Sequence, residues 1–320
     1  MAQHFLLSAG ARTLSLAKVL RLSDQEAYEA FKAVRFADNG GEPFCPQCGS
    51  VELYWFQTRK VWKCKGCKKE FSVTSGTLFA SRQLSIRDIL AAIVIFTNGA
   101  KGISALQLSR DLDVQYKTAY VLAHKIREAM ASEDKTATVS GEVEIDGMHA
   151  GGYIKPANHK EHRRDRRLAR NQNGKRMVVI AARERNGKTI TFVTKTEDAS
   201  VEALQARIEP GSTVYADEAS HWDAMHARYE TKRINHSQAY SDGEGCTNQA
   251  ESFFSRLRRA EIGTHHHIAG PYLASYAAEM DWREDRRRVS NGEQFAAIVR
   301  AAAIHPVSRQ WKGYWQRGSR

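Results

Sequence analysis

Three carboxylates and four thiols have the types and spacing to do chemistry. Asp146 closes the short run Val143-Glu144-Ile145-Asp146, Asp217 closes Val214-Tyr215-Ala216-Asp217, and Glu251 lies one turn inside a helical stretch that starts at Asn248. Carboxylates on neighbouring strand ends, joined by one from a helix crossing that edge, can hold two divalent ions about 3.5–4 Å apart. One ion then activates a water or a 3′-hydroxyl, and the other stabilises the leaving oxygen of an in-line phosphodiester displacement. Mg²⁺ or Mn²⁺ suits such oxygen ligands. Asn248 and Glu251 stand at i and i+3, so both can face the same edge. Glu251 is the expected ligand because a carboxylate binds hard cations better than an amide, with Asn248 as an orienting group. Glu218, directly after Asp217, is expected to point to the other face.

The thiols form two pairs, Cys45-Pro46-Gln47-Cys48 and Cys64-Lys65-Gly66-Cys67, with fifteen residues between Cys48 and Cys64. Each CxxC puts two sulfurs on one tight turn, and a short hairpin returning the second pair completes a closed four-sulfur cage for structural Zn²⁺. Gly49 and Gly66 are expected to supply the sharp turns. Two disulfides are the alternative. The fifth cysteine, Cys246, reads as an ordinary small buried residue.

These groups sit in a chain of 320 residues with a formal charge of +12 and a pI near 9.5, which makes a polyanion the default partner. No run approaches the ~18 apolar residues of a membrane span, and Arg12 and Lys18 interrupt the start where a signal peptide would need an apolar region. Cysteines in metal spacing fit a reducing interior. The expectation is a soluble, cytoplasmic, basic protein with no membrane partner.

The elements that must position the chemistry follow from periodicity. Ser23 and Glu26 form a capping-box signature opening a helix over 23–37, which Asn39-Gly40-Gly41 ends. Residues 51–57 and 59–63 alternate as two hairpin strands, and Phe71-Ser72-Val73 adds a third. A helix over 86–98 precedes a helix, turn and helix over 103–129. Ile103, Leu106 and Leu108 are expected to pack one face of the first, and Leu112-Asp113-Val114 to make the turn. The second would enter a major groove with Gln115, Tyr116 and Lys117 at its reading end. Beyond it, strands at 143–146, 177–183 and 190–196 are followed by a helix over 200–208, capped by Ser200 or Asp198. A strand at 213–217 and a helix over 248–259 complete the set. Asn186-Gly187 signals a type I′ hairpin turn. Three antiparallel strands, a helix, a strand and a closing helix is an RNase H-like order.

Residues 153–176 are strongly basic, with Arg163, Arg164, Arg166 and Arg167 among their cations, and a DNA backbone contact is the preferred reading. His265, His266 and His267 cannot all face one ion, so hydrogen bonding or phosphate contact is expected there. The tail, with Trp311, Tyr314 and Trp315, is expected to dock its aromatics on the body. Stacking on unpaired DNA ends is the alternative reading.

Taken together, the chain resembles the zinc-ribbon DDE transposases of bacterial insertion sequences, the ISXO2-like family, over nearly its whole length. The resemblance rests on Cys45–Cys67, Phe71-Ser72-Val73-Thr74-Ser75-Gly76-Thr77, Glu144-Ile145-Asp146-Gly147 and Tyr215-Ala216-Asp217. Its most specific stretch is Asn248-Gln249-Ala250-Glu251-Ser252-Phe253-Phe254-Ser255-Arg256-Leu257-Arg258-Arg259, and Trp282, Arg283 and Arg286 resemble the closing helix. It implies a multidomain α+β chain: an N-terminal helical segment (1–40), zinc ribbon (41–77), helix-turn-helix segment (84–132), RNase H-like α/β catalytic core (140–300) and basic aromatic tail (301–320). It further implies Asp146 and Asp217 as metal-binding aspartates and an activity of cutting and joining double-stranded DNA at transposon ends. The family usually has Lys where this chain has Arg258, which with Arg259 is expected to contact phosphate. Joining two ends calls for a homo-oligomer on DNA. The competing reading is a zinc-ribbon DNA-binding regulator with an inactive core. A nuclease of RNA–DNA hybrids ranks last, because it would have no need of a separate DNA reader.

Overall fold

The computed structural model describes residues 4–151, 157, 159–164, 171, 173–234 and 246–319. The chain divides into two units: one formed by 1–133 together with 286–320, the other by 134–285.

The first unit begins with α1 (Leu16–Leu20) and α2 (Asp24–Arg35). The capping box is formed: Ser23 Oγ accepts from the Glu26 N–H at 3.2 Å, and Glu26 Oε2 accepts from the Ser23 N–H at 2.7 Å. Strands β1 (Leu53–Phe56), β2 (Val61–Cys64) and β3 (Glu70–Ser72) pair antiparallel in the order β1-β2-β3. Trp62 on the central strand packs among Tyr28, Phe36, Trp55 and Phe71, which fastens the small sheet to α2. Arg35 adds polar stitching: its guanidinium donates to the carbonyls of Ser72, Val73 and Ser75, and burial pulls its pKa down to about 10. Residues 1–40 and 41–77, read from sequence as separate segments, thus share one core.

α3 (Ile86–Asn98) is buried along most of its length and is capped by Ser85. α4 (Ala105–Asp111) and α5 (Tyr116–Glu133) follow, joined by a turn in which Asp113 is left-handed (φ 50°). Ile103 and Leu108 are buried, but Leu106 is 50% exposed. Two positions apart on a helix lie on opposite sides, so Leu106 and Leu108 cannot share a face. From the far end of the chain, α9 (Asn291–Ile304) packs on α2, α3 and α5. Residues 286–300, expected with the catalytic core, therefore belong with the N-terminal unit.

The second unit is a five-stranded sheet in the order β6-β5-β4-β7-β8. β4 (Glu142–Ala150), β5 (Met177–Glu184) and β6 (Thr189–Thr194) are antiparallel. β7 (Thr213–Asp217) runs parallel to β4, and β8 (Glu230–Ile234), which the sequence reading did not find, runs parallel to β7. The strand ending in Asp146 was expected to stop there; it continues to Ala150, paired throughout with β5. In the β5–β6 turn only Asn186 is left-handed (φ 61°), whereas a type I′ turn needs both central residues so. α6 (Val201–Gln205) is shorter than expected and has no side-chain cap; the Ser200 hydroxyl donates instead to the Glu197 carbonyl.

Strand alternation sorts this sheet into two faces. Val143, Ile145, Val178, Ile180, Val214 and Ala216 face one core with Trp222 and Met225. Met148, Ala150, Val179 and Ala181 face the other, covered by α7 (Asn248–Ala260) through Phe253, Phe254 and Leu257, and by α8 (Leu273–Asp285) through Leu273, Ala277 and Met280. Asp146 and Asp217 fall in the alternation on the α7 side.

Candidate metal centres and active site

In the first unit the two CxxC turns bring the four sulfurs of Cys45, Cys48, Cys64 and Cys67 within 4.8 Å of one another. Cys45 Sγ lies 3.6 Å from Cys67 Sγ, and Cys48 Sγ 3.5 Å from Cys64 Sγ. A tetrahedron with Zn–S bonds of about 2.3 Å has edges of about 3.8 Å, so the donors fit Zn²⁺. All five cysteines are free thiols, which sets the disulfide reading aside. Gly49 takes a left-handed conformation (φ 75°), while Gly66 does not and serves only as a small neighbour of the sulfurs. The Cys67 and Gly66 backbone N–H groups, with neighbouring thiols, hold the Cys64 thiol down to about 6.

In the second unit β4 and β7 are in parallel register, Glu144 opposite Tyr215, so two residues further on Asp146 and Asp217 stand level. The Gly147 N–H donates to Asp146 Oδ1 at 2.7 Å, and the Ala219 N–H donates to Asp217 Oδ1 at 3.1 Å. Burial raises the Asp146 carboxyl to about 6, and the charges of Asp217, Glu251 and Glu197 push in the same direction. Glu251 and Asn248 are both exposed on the first turn of α7. Mutually repelling carboxylates on a half-buried edge are a donor set that a divalent cation relieves. The three are more open than the thiols, which among the described residues are the group of three or more ligands gathered within 4.8 Å.

Two features of this edge escaped the sequence reading. Glu197, just beyond β6, packs its carboxylate against Gly147, so a side chain at 147 would displace it. His221 Nε2 is 3.0 Å from Glu197 Oε2, and His149 Nε2 is 3.9 Å from Oε1. A strand-end acid after Thr194-Lys195-Thr196 was the available signal. Glu144, two residues before Asp146, is the second feature; it is fully buried.

Of the other expected residues, Gln115, Tyr116 and Lys117 are exposed at the start of α5. Lys117 is engaged: its Nζ lies 5.3 Å from the Trp315 ring centre, and its carbonyl accepts from Trp315 Nε1 at 3.2 Å. Arg258 and Arg259 are exposed on α7, with Arg259 donating to Ser255 Oγ at 2.9 Å. Arg163 and Arg164 are exposed, and Arg166 and Arg167 lie outside the described residues. Glu218 is exposed, and Cys246 is half-buried rather than buried, with Sγ 3.3 Å from the Arg185 guanidinium.

A sheet edge carrying acidic residues beside a covering helix thus stands in a chain that also holds a four-thiol ribbon. Residues 138–285 match the ISXO2-like transposase domain, and residues 22–70 match the transposase zinc-ribbon domain. The chain is also similar to an uncharacterized protein in transposable element ISH50 of Halobacterium salinarum, 24% identical over 272 residues, covering 81% of this chain and 91% of the relative. The chain thus carries matches to two transposase domains, a zinc ribbon and an ISXO2-like domain.

Proposed function

We propose that this transposase binds the terminal inverted repeats of its element and catalyses metal-dependent cleavage and strand transfer there. The observation that carries this reading is the level placement of Asp146 and Asp217 on parallel strands, with the charge of Glu251 felt at Asp146. The strand order, three antiparallel and two parallel, supports an RNase H-like core. Asp146, Asp217 and Glu251 would hold two Mg²⁺ or Mn²⁺ ions, with Asn248 beside them; bound there, the ions would activate the attacking oxygen and neutralise charge on the leaving one. The residues themselves fix the geometry. Backbone N–H groups of Gly147 and Ala219 hold one oxygen of each aspartate, leaving the others free to ligate. Arg258 and Arg259 extend along the same helix toward solvent, where phosphate would pass.

The helix pair α4–α5 supports a reading end for DNA, with Gln115, Tyr116 and Lys117 at the helix start, and Zn²⁺ would hold the ribbon through its four cysteines. Arg163, Arg164, Arg166 and Arg167 would add contacts to the DNA backbone. Two copies of the chain would assemble on paired ends.

The test uses the purified full chain on DNA bearing the element's ends. Wild-type protein nicks and joins it only with Mg²⁺ or Mn²⁺. Asp146→Asn and Glu251→Gln each lose that chemistry by at least about 100-fold while keeping end binding, and Asn248→Ala loses about tenfold. Unchanged strand chemistry in Asp146→Asn would refute the site. Specific binding without any metal-dependent cleavage by the wild type would instead make the chain a regulator.

A further inference from the structure

We infer that Glu144 is a positioning residue: its buried carboxylate latches the first turn of α7 onto β4 and thereby sets where Glu251 stands against Asp146. The inference rests on the proposed active site for its catalytic meaning, though the latch itself is a matter of geometry.

Glu144 is 0% exposed in the middle of a sheet face. A buried carboxylate persists only where both oxygens are satisfied. Oε2 accepts from the backbone N–H groups of Gln249 at 2.8 Å and Ala250 at 3.1 Å. Those are the second and third residues of α7, whose amides have no acceptor within the helix. Thr247, in the cap position, makes no side-chain capping bond, so a glutamate from a distant strand does the capping. Its negative charge also meets the positive end of a thirteen-residue helix.

Oε1 has a different set of partners. It accepts from Arg185 Nε at 3.0 Å, and Cys246 Sγ lies 3.8 Å away. Arg185 then ties in the surroundings. Its guanidinium lies 3.9 Å from the Tyr215 ring centre, donates to the Cys246 carbonyl at 3.2 Å and pairs with Glu142 at 3.4 Å. One side chain thus joins β4, the β5–β6 turn, β7 and the segment entering α7.

The placement is what gives the latch a functional consequence. Glu144 precedes Asp146 by two residues on the same face of β4, and Gln249 and Ala250 directly precede Glu251. Each bond to Glu144 therefore fixes a backbone neighbour of a proposed ligand. Without the latch α7 would still be held by Phe253, Phe254 and Leu257, but its first turn would be free to fray. Small displacements of such ligands are costly to catalysis.

Both oxygens must accept, and this makes the carboxylate irreplaceable by its isostere. A Gln side chain has one acceptor and one donor. Turned either way, its NH₂ meets the helix N–H groups or the Arg185 guanidinium, donor against donor. Glu144→Gln is therefore expected to disrupt one half of the knot with no change in volume.

The experiment combines amide hydrogen exchange with metal titration on the full chain. In the wild type the Gln249 and Ala250 amides should exchange at least tenfold more slowly than those of an uncapped first turn; rapid exchange there would overturn the latch without any variant. In Glu144→Met, which offers no acceptor to the helix, those amides should be deprotected, and the Mg²⁺ concentration for half-maximal end cleavage should rise about tenfold, with the rate largely recovered at saturating Mg²⁺. Arg185→Met leaves the two helix bonds in place, so the amides should stay protected and the midpoint should move less than threefold. A Glu144→Met protein with wild-type exchange and wild-type metal midpoint would refute the proposal. If the wild type shows no metal-dependent cleavage, the proposed function fails on its own, and the exchange data still decide the latch.

Discussion

Asp281 and Asp285 are one turn apart on α8, and both are carboxyls whose surroundings disfavour the charge. Burial holds Asp281 well above the ordinary carboxylate range, although the Thr191 hydroxyl donates to it at 2.6 Å. Burial pushes Asp285 up to about 7, with Asp134 adding like charge and the Thr189 N–H and Arg183 opposing. In the window between the unfolded pKa near 4 and these raised values, the folded protein binds more protons than the unfolded one, so stability falls as pH rises. Asp281→Asn keeps an oxygen for Thr191 and removes the charge that must otherwise be neutralised. Its stability advantage over the wild type, measured by urea unfolding near pH 5 and near pH 8, should grow by at least about 1 kcal/mol between the two. An equal difference at both pH values would mean that the carboxyl does not titrate as its burial requires. Such groups were not legible in the sequence, and neither were Glu144 and Glu197. A strand-end acid such as Asp146 or Asp217 announces itself through the apolar residues before it. A buried acid is defined by partners more than forty positions away, such as Arg185 for Glu144 or Gln249 for the same oxygen pair.

At the scale of elements, local signals survived and long-range ones did not. The Ser23–Glu26 box, the α3 helix from Ile86 to Asn98 and β7 from Thr213 to Asp217 follow from capping and periodicity within their own residues. β8 was missed because Glu230-Thr231-Lys232-Arg233-Ile234 carries little apolar alternation; as an edge strand it needs little. The tail was legible as an aromatic segment seeking a surface, but not which surface. It packs on α5: Trp311 stacks on His124 at 4.1 Å, and Tyr314 and Trp315 meet Tyr120 at 6.1 and 5.8 Å. Trp315 also holds Lys117 at the proposed DNA-reading end. A cation–π contact and one backbone hydrogen bond together are worth about 1–2 kcal/mol. Trp315→Ala should therefore weaken binding to end DNA about five- to tenfold without changing its salt slope, since no phosphate contact is removed. Lys117→Met should weaken binding and lower the slope by about one. Titrations of labelled end DNA at several salt concentrations check both; a Trp315→Ala variant with unaltered affinity would show the contact to be incidental to DNA reading.

For the molecule as a whole, the chain's linear order and its packing order disagree. Sequence reading placed the catalytic core at 140–300, because the closing-helix residues Trp282, Arg283 and Arg286 run on without a break. Packing cuts that run: α8 lies over the second unit's sheet, whereas α9 is a wall of the N-terminal core. No Pro- or Gly-rich linker marks the change, since Arg286 bonds back to Glu133 at 3.1 Å within the first unit. Asn291 seals the junction by accepting from the backbone N–H groups of Thr13 and Leu14, both at 3.0 Å, and the Leu78 N–H donates to the Ala302 carbonyl at 3.3 Å. The buried face of α9, with Ile298, Val299, Ala301 and Ala302, has no counterpart in residues 1–133. A fragment ending at residue 133 should thus expose the apolar surface that α9 covers on α2, α3 and α5. Burial of that face at about 25 cal/mol per Å² amounts to several kcal/mol, comparable with the whole stability of a domain this size. Residues 1–133 expressed alone with Zn²⁺ should be partly unfolded and bind hydrophobic dye, and adding 286–320 through a short linker in place of 134–285 should restore a cooperative thermal transition. Residues 134–285 should melt cooperatively without help from either. A stable, cooperative 1–133 fragment would show that α9 decorates the N-terminal unit rather than completes it.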